Sequence, residues 1–592
     1  MFNTRCWLAL GLLSLCAVPA AMAQSFRVQC PTSTITHPDP NNTDINSTEP
    51  PYLGPTTLVS TNTGNPAAGY LVPSQTSSGG TTANGAIKCQ QISGGDGYAT
   101  MADGHQTFMF SFGPLSGLAN IAAGNPDGAF DRGTGAVPPD VFNTVYSQLY
   151  PGSLLTPGDP ATTDGASDNG TTYTPGTVGP AAVFQYNGAI GLAPDADCIA
   201  GNNLASTAGQ PPPCPNLPQS GLDGHVDPRQ IMDVGVMNGN IPAPLITMDE
   251  DDEFFLTLTN VGMIMRPDLF EQHTVHFHGY PNASSFYDGV PDASVAINIG
   301  GSFTYYYLSP DAGTYFWHCH ITPPEHLQMG MVGQLYVRPR QNRVPVNTSL
   351  YTARQAQDQD LRTACVATND ILCSHNLPAT NNGVTRHGTG NYAYNDGDGS
   401  TYYDVEYPLQ IHGFDPNFHF VGMTFNPEAF ADMKDKYFLL NGRSYPDTAN
   451  NGPMATQSSD TKVHYSQPLP AVINIPQGQR ALLRIADLDV AEYQTLASLG
   501  IRMQVIGYNA KLLRDQAGNN TAYYTNSITL GGGESLDVIL DSCLQRSTPA
   551  DPSSACTTPI AKGTYYLYTP NLDHLSNDAE NFGGLMTEVH VN

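Results

Sequence analysis

Gly313-Thr314-Tyr315-Phe316-Trp317-His318-Cys319 recurs downstream as Gly563-Thr564-Tyr565-Tyr566-Leu567-Tyr568-Thr569. Each is a short aromatic and β-branched run behind a glycine, the composition of a strand entered from a turn. The recurrence extends outward. Gly300-Gly301-Ser302-Phe303 parallels Gly532-Gly533-Glu534-Ser535, and Val275-His276-Phe277-His278-Gly279-Tyr280 aligns without gaps on Met503-Gln504-Val505-Ile506-Gly507-Tyr508. Pro244 to Asn260 resembles Pro470 to Asp487 in pattern. Two homologous β units therefore follow one another. Thr107–Phe112, Leu245–Thr247, Phe254–Leu258, Phe303–Tyr307 and Gln334–Val337 read as further strands, and Glu428–Lys436 as no more than a short helix. The expectation is an all-β chain with long loop insertions.

Composition narrows the function. The 592 residues carry a formal charge of −29, with only 23 Lys plus Arg against 52 Asp plus Glu. Phosphate must be neutralised by basic side chains, so a sequence-independent nucleic-acid binder is excluded, and an anionic membrane is disfavoured for the same reason. Arg5, the apolar run Trp7–Val18 and the small residues of Ala21-Met22-Ala23 form a secretory leader over 1–23, so export to the periplasm or medium is expected. No later stretch is apolar for long enough to span a membrane. Residues 24–95 read as a Ser/Thr/Pro/Gly-rich arm, 96–340 as the first unit with an insertion at about 117–226, 341–402 as a linker region and 403–592 as the second unit.

Of the 11 cysteines, Cys6 and Cys16 fall in the leader. Eight others form sequence-near pairs at 30–89, 198–214, 365–373 and 543–556, which an oxidising compartment favours as disulfides. Cys319 has no partner, and a leftover cysteine in an exported protein calls for a metal or a reactive thiol.

Six of the 16 histidines lie between 273 and 326. His276 and His278 are two apart and share one face of a strand; His318 and His320 do the same, with Cys319 on the opposite face. If the two segments pair, four imidazoles converge on one side, and Cys319 meets His273 and His326 on the other. The thiolate, two imidazoles and the thioether of Met331 make the trigonal set with a weak axial ligand that suits blue copper, whereas the all-imidazole set suits copper with an open position. Zinc is the alternative metal, since His and Cys also bind it.

At these residues the sequence resembles the multicopper oxidases, a superfamily built from cupredoxin β-sandwiches. His273-Thr274-Val275-His276-Phe277-His278-Gly279 is similar to the motif that gives one histidine to type 1 copper and two to the trinuclear cluster. His318-Cys319-His320-Ile321, His326 and Gly330-Met331 resemble the family's C-terminal copper signature. The resemblance implies two consecutive cupredoxin-like Greek-key sandwiches. It implies type 1 copper on His273, Cys319, His326 and Met331, type 2 copper on His276, and the type 3 pair on His278, His318 and His320. Cys319, His318 and His320 would carry the electrons. The second copy, with Leu440-Asn441-Gly442-Arg443 and Gly533 to Asp537, resembles the family's copper-free domain. The implied activity is one-electron oxidation of phenols or low-valent metal ions, with dioxygen as acceptor.

Three departures open alternatives. The loop from Cys319 to His326 is two residues longer than the family's usual one and contains Pro323-Pro324, a shift toward copper nitrite reductases, although His276 stands where their catalytic Asp would be. A full cluster uses eight histidines, and this signature supplies four. The remaining four could come from a facing subunit in a homo-oligomer, or the chain could be a blue-copper electron carrier or copper-binding protein. The other histidines are expected to be structural. Asp249-Glu250-Asp251-Asp252-Glu253 reads as a solvated turn, Glu325 as an acid beside His326, Asn395-Asp396-Gly397-Asp398-Gly399 as a plain turn, and Met263 and Met265 as core fillers.

Overall fold

The computed structural model describes residues 87–114, 239–363 and 376–592 apart from short breaks, together with parts of 34–75. The leader, half of the arm, the 117–226 insertion and residues 364–375 lie outside the described residues. No described helix is long and apolar enough to cross a membrane.

Four sheets make two sandwiches. In the first, β1 (Ile87–Thr100) lies between β2 (Gln106–Pro114) and β4 (Glu253–Asn260), and β6 (Ser302–Leu308) completes the sheet. β1 crosses the 95/96 boundary between arm and first unit, and its first residue, Ile87, already pairs with Glu253. The facing sheet runs in the order β3 (Ala243–Asp249), β8 (Val332–Arg338), β7 (Gly313–His318) and β5 (His276–His278). Alternate residues point inward, as the two-residue strand period requires. Phe108, Phe110, Phe112, Phe254, Leu256, Tyr305 and Tyr307 of one sheet thus bury against Ile246, Phe277, Tyr315, Trp317 and Leu335 of the other.

The second sandwich repeats this plan. Its first sheet contains β10 (Tyr437–Leu440), β9 (Val405–Phe414), β12 (Arg480–Asp487), β16 (Glu534–Asp541) and β14 (Met503–Tyr508) in that order. Its second has the order β11 (Ile473–Ile475), β18 (Met586–Val591), β17 (Gly563–Tyr568), β13 (Gln494–Leu499) and β15 (Ser527–Leu530). In both copies a parallel pair opens each sheet: β1 with β4 and β9 with β12, then β3 with β8 and β11 with β18.

Strand pairing corrects one part of the sequence alignment. His276 pairs with His318 in the first copy, and Ala497 pairs with Tyr568 in the second. The counterpart of β5 is therefore β13, not the Met503–Tyr508 segment, which pairs with β16 in the other sheet. A short Gly-Tyr match carries no information about the sheet to which a strand belongs. Ala497 and Leu499 stand opposite Tyr568 and Tyr566, so the second copy has no metal ligands at these positions under the corrected alignment either.

The structure also overturns the solvated reading of Asp249–Glu253. Glu250, Asp251, Asp252 and Glu253 are all buried. Asp251 accepts from Arg340 at 2.6 Å and Arg343 at 2.5 Å, with Arg362 at 3.3 Å. Asp252 pairs with Lys88 at 2.5 Å, and Glu250 accepts from the Arg340 backbone N–H at 2.6 Å. The cations come from distant segments, which is why the run reads as exposed in isolation. Asn395–Gly399 is a turn as expected: the buried Asp396 carboxylate accepts from Gln341 and from the Gly399 and Thr401 amides, each at 2.8 Å. Cys543 and Cys556 form a disulfide. The other three pairs involve residues outside the described set.

His37 lies buried in this acidic region, with Nε2 2.5 Å from Glu49 and Nδ1 2.6 Å from Glu253. Burial opposes its charge, but the two carboxylates outweigh burial and push its pKa from 6.5 up to about 10. A group raised on folding stabilises below its unfolded pKa and loses that contribution as pH rises through the folded value. The wild type should therefore lose stability between about pH 6.5 and about 10. His37→Gln should lower the unfolding free energy at pH 6 by about 3–5 kcal/mol and flatten the dependence over that window. Denaturant melts at several pH values would check this; equal slopes in the two proteins would refute the pairing.

Candidate metal centre

The two histidine segments meet at the end of the first sandwich. β5 pairs antiparallel with β7, opposing His276 to His318. Beyond the last paired residue, the Thr274 amide donates to the Cys319 sulfur at 3.4 Å and the His320 amide donates to the Thr274 hydroxyl at 3.0 Å. The segment between Cys319 and His326 is not a plain loop. It enters α1 (Pro323–Gln328), whose first positions are prolines, where a missing N–H costs nothing. This helix turns His326 inward, fully buried.

Two groups of donors result, one on each side of the backbone at Cys319. In the first, the Cys319 sulfur lies 3.3 Å from His326 Nδ1 and 4.0 Å from His273 Nδ1, and all three side chains are fully buried. Their donor atoms all lie within 4.8 Å of one another. Cys319 is the free cysteine among the described residues. Met331 is fully buried in the same apolar cluster. Its carbonyl accepts from the Cys319 amide at 3.2 Å and its amide donates to the His326 carbonyl at 2.9 Å.

In the second group, His276, His278 and His318 bring their ring nitrogens within 4.8 Å of one another. The His320 ring lies alongside, 5.0 Å from that of His276 and 5.6 Å from that of His318. Burial lowers His278 to about 4 and His318 to about 3, and also lowers His276. Neutral imidazoles with a free lone pair are what a metal requires. His276 Nδ1 donates to the Asp288 carbonyl at 2.6 Å and His318 Nδ1 to the Cys319 carbonyl at 2.8 Å. A carbonyl can only accept, so the Nε2 atoms carry the lone pairs.

The second sandwich closes over this group. Arg484, buried, binds Glu406 at 3.0 Å and Thr314 at 3.1 Å, and the Gln334 amide donates to the Arg484 carbonyl at 2.6 Å. This polar seam places Leu488–Tyr493 and Gly531–Gly533 across from the histidines, around a cleft of about 590 Å³. Among the described residues, only His276, His278, His318 and His320 of the histidines line it. His412, His419 and His574 are buried elsewhere and hydrogen-bonded to backbone or side-chain acceptors, as expected of structural histidines.

One acid escaped the sequence. Glu271 Oε2 lies 3.3 Å from His326 Nε2, whereas Glu325 makes no such hydrogen bond. Burial disfavours charge on His326, but Cys319 and Glu271 outweigh it and raise its pKa to about 9. No motif marks Glu271; only the helical turn of α1 directs Nε2 toward it.

Residues 223–342 match the family model described as multicopper oxidase. A laccase of Aspergillus fumigatus is 34% identical over 109 residues, covering 18% of this chain and 17% of the relative. A multicopper oxidase of Talaromyces pinophilus is 33% identical over 112 residues, covering 19% and 17%. The solved blue copper oxidase of Nitrosomonas europaea aligns at 20% identity and a TM-score of 0.38, covering 60% of this chain and 78% of that one. Residues 223–342 thus form a multicopper oxidase domain, a family whose cofactor is copper. The alignments with these two curated relatives each span 17% of the relative's length. The donors fit copper: a buried thiol with two ring nitrogens aimed at it, beside a cleft lined by four imidazoles.

Gly289 has φ +84°, and a Cβ there would fall on the Val275 carbonyl and against the His276 amide. Gly289→Ala is therefore expected to displace β5 and the Asp288 carbonyl that orients His276. It should reduce copper bound in the histidine cleft and lower the melting temperature by several degrees. Metal analysis and calorimetry would check this; unchanged copper content would refute the role of this turn.

Proposed function

We propose that the protein is an exported copper oxidoreductase that takes single electrons from a phenolic or low-valent metal donor and delivers them to dioxygen. The observation that carries this reading is the adjacency of His318 and Cys319: consecutive residues belong to different donor groups, so one peptide unit joins them covalently. Four donor oxidations balance the reduction of one dioxygen with four protons to two waters.

In this reading His273, Cys319, His326 and the Met331 thioether would hold type 1 copper, and His276, His278, His318 and His320 would hold copper in the cleft. Bound copper would supply one-electron redox change and, in the cleft, reduction of dioxygen. The chain's own residues do the rest. Glu271 accepts a hydrogen bond from His326 Nε2 and offers a carboxylate to a cationic or phenolic donor arriving at that edge. Asp489 lines the cleft, and behind it Asp435 is pushed well above the usual carboxylate range by burial and by Asp489, so it holds a proton near the site of oxygen reduction. Leu488, Val490 and Gly531–Gly533 form the facing wall.

Residues 1–23 serve export, and residues 96–340 and 403–592 are the copper-binding and copper-free units. The four imidazoles that a full cluster lacks come from a neighbouring subunit facing the cleft.

Cys319→Ser should remove the thiolate-to-copper visible absorption and one copper per chain while leaving the cleft copper. His278→Ala should do the reverse, and both should abolish oxygen uptake. Metal analysis, optical and paramagnetic spectra and an oxygen electrode on the sized oligomer would decide. One copper per chain without oxygen consumption would reduce the protein to an electron carrier, and nitrite turnover in its place would make it a nitrite reductase. Glu271→Gln should raise KM for a cationic or phenolic donor about tenfold with the visible spectrum unchanged, since a charge-assisted hydrogen bond contributes about 1.5–3 kcal/mol; an unaltered KM would place donor binding elsewhere.

A further inference from the structure

A second cleft, of about 750 Å³, opens in the second sandwich, at the end of β12 opposite the histidines. Arg480 begins β12 and Asp487 ends it, so the two sites are about 23 Å apart at 3.3 Å per residue. Three of the chain's few basic residues, Arg480, Arg502 and Arg546, converge there. Two of them share one carboxylate, Asp541, which takes Arg546 at 2.7 Å and Arg480 at 3.4 Å. The other lining acid, Asp398, is held by Arg514 at 2.7 Å.

Arg480 is 2% exposed and its Nη1 has no hydrogen-bond partner, while Nη2 donates to Gln504 at 2.9 Å. Burial and the charge of Arg546 outweigh Asp541 and lower its pKa. A buried guanidinium with an unused donor is costly unless something anionic completes it. The walls are partly apolar. Leu544 is 60% exposed, and Tyr524, 55% exposed, carries the Arg502 guanidinium 4.7 Å from its ring centre. The Cys543–Cys556 disulfide closes the hairpin that presents Leu544 and Arg546, so this wall is held in place before any ligand arrives.

We propose that this cleft binds a small organic carboxylate, its oxygens on the guanidiniums of Arg480, Arg502 and Arg546 and its apolar body against Tyr524 and Leu544. The uncompensated positive charge selects an anion, and the exposed ring and leucine select an organic one over an inorganic one. Arginine suits carboxylate because its planar fork matches both oxygens.

The test is calorimetric titration of the full-length copper-loaded protein with benzoate, benzamide and inorganic phosphate. Benzoate should bind at micromolar to millimolar concentration, and benzamide and phosphate at least about tenfold more weakly. Arg502→Ala and Tyr524→Ala, both at exposed positions that a folded protein tolerates, should each weaken benzoate about tenfold or more and leave the visible copper spectrum unchanged. Absence of benzoate binding would overturn the proposal. So would equal affinity for benzamide or phosphate, or benzoate affinity unaffected by Arg502→Ala, which would place the ligand on copper or elsewhere.

Discussion

The antiparallel register that sets His276 opposite His318 is the constraint on which the rest of the site depends. A strand sends successive side chains to opposite faces. Once that pairing is made, His318 must face the cleft and Cys319 must face the interior. Cys319 then meets His273 and His326 in a fully buried pocket, while the imidazoles one residue away meet at a half-open one. A slip of one residue would exchange the two environments and destroy both.

The surrounding structure protects that register. Thr274 contributes to both segments, through its amide to the Cys319 sulfur and its hydroxyl to the His320 amide. Behind the strands, the aromatic core of the first sandwich leaves no room for adjustment: Phe277 stacks on Tyr307 at 3.8 Å, and Phe112 lies 4.7 Å from Trp317. The second sandwich adds no donors but provides the opposite wall. Its attachment is polar and buried, with Arg484, Glu406, Thr314 and Asp537 in mutual contact. Breaking one partner of such a network strands the others without water, so the wall is held in one position.

How much could be read in advance differs from feature to feature. Inward-facing Phe and Tyr at every second position mark the strands locally, and β2, β4, β6 and β8 are legible from period and composition. The order of strands within the sheets is not, because each parallel pair is closed by a long crossover whose partner no local signal names. That is why Met503–Tyr508 could be mistaken for the counterpart of β5: six aligned positions carry less information than one hydrogen-bonded neighbour. Likewise, a run of five acids looks solvated until Lys88, His37, Arg340, Arg343 and Arg362 arrive from four separate segments.

The amino-acid sequence by itself determined the repeat, the all-β character, the clustering of six histidines and the solitary Cys319, since these depend on residue identity and on spacings within a few residues. Tertiary structure alone decided that Glu271 rather than Glu325 meets His326, that α1 carries His326 inward, that the acidic run is buried and that three arginines converge on one cleft, two of them sharing an aspartate. Each of those depends on where separate segments lie in space, and that is settled by the packing of whole sheets, which no short stretch of chain encodes.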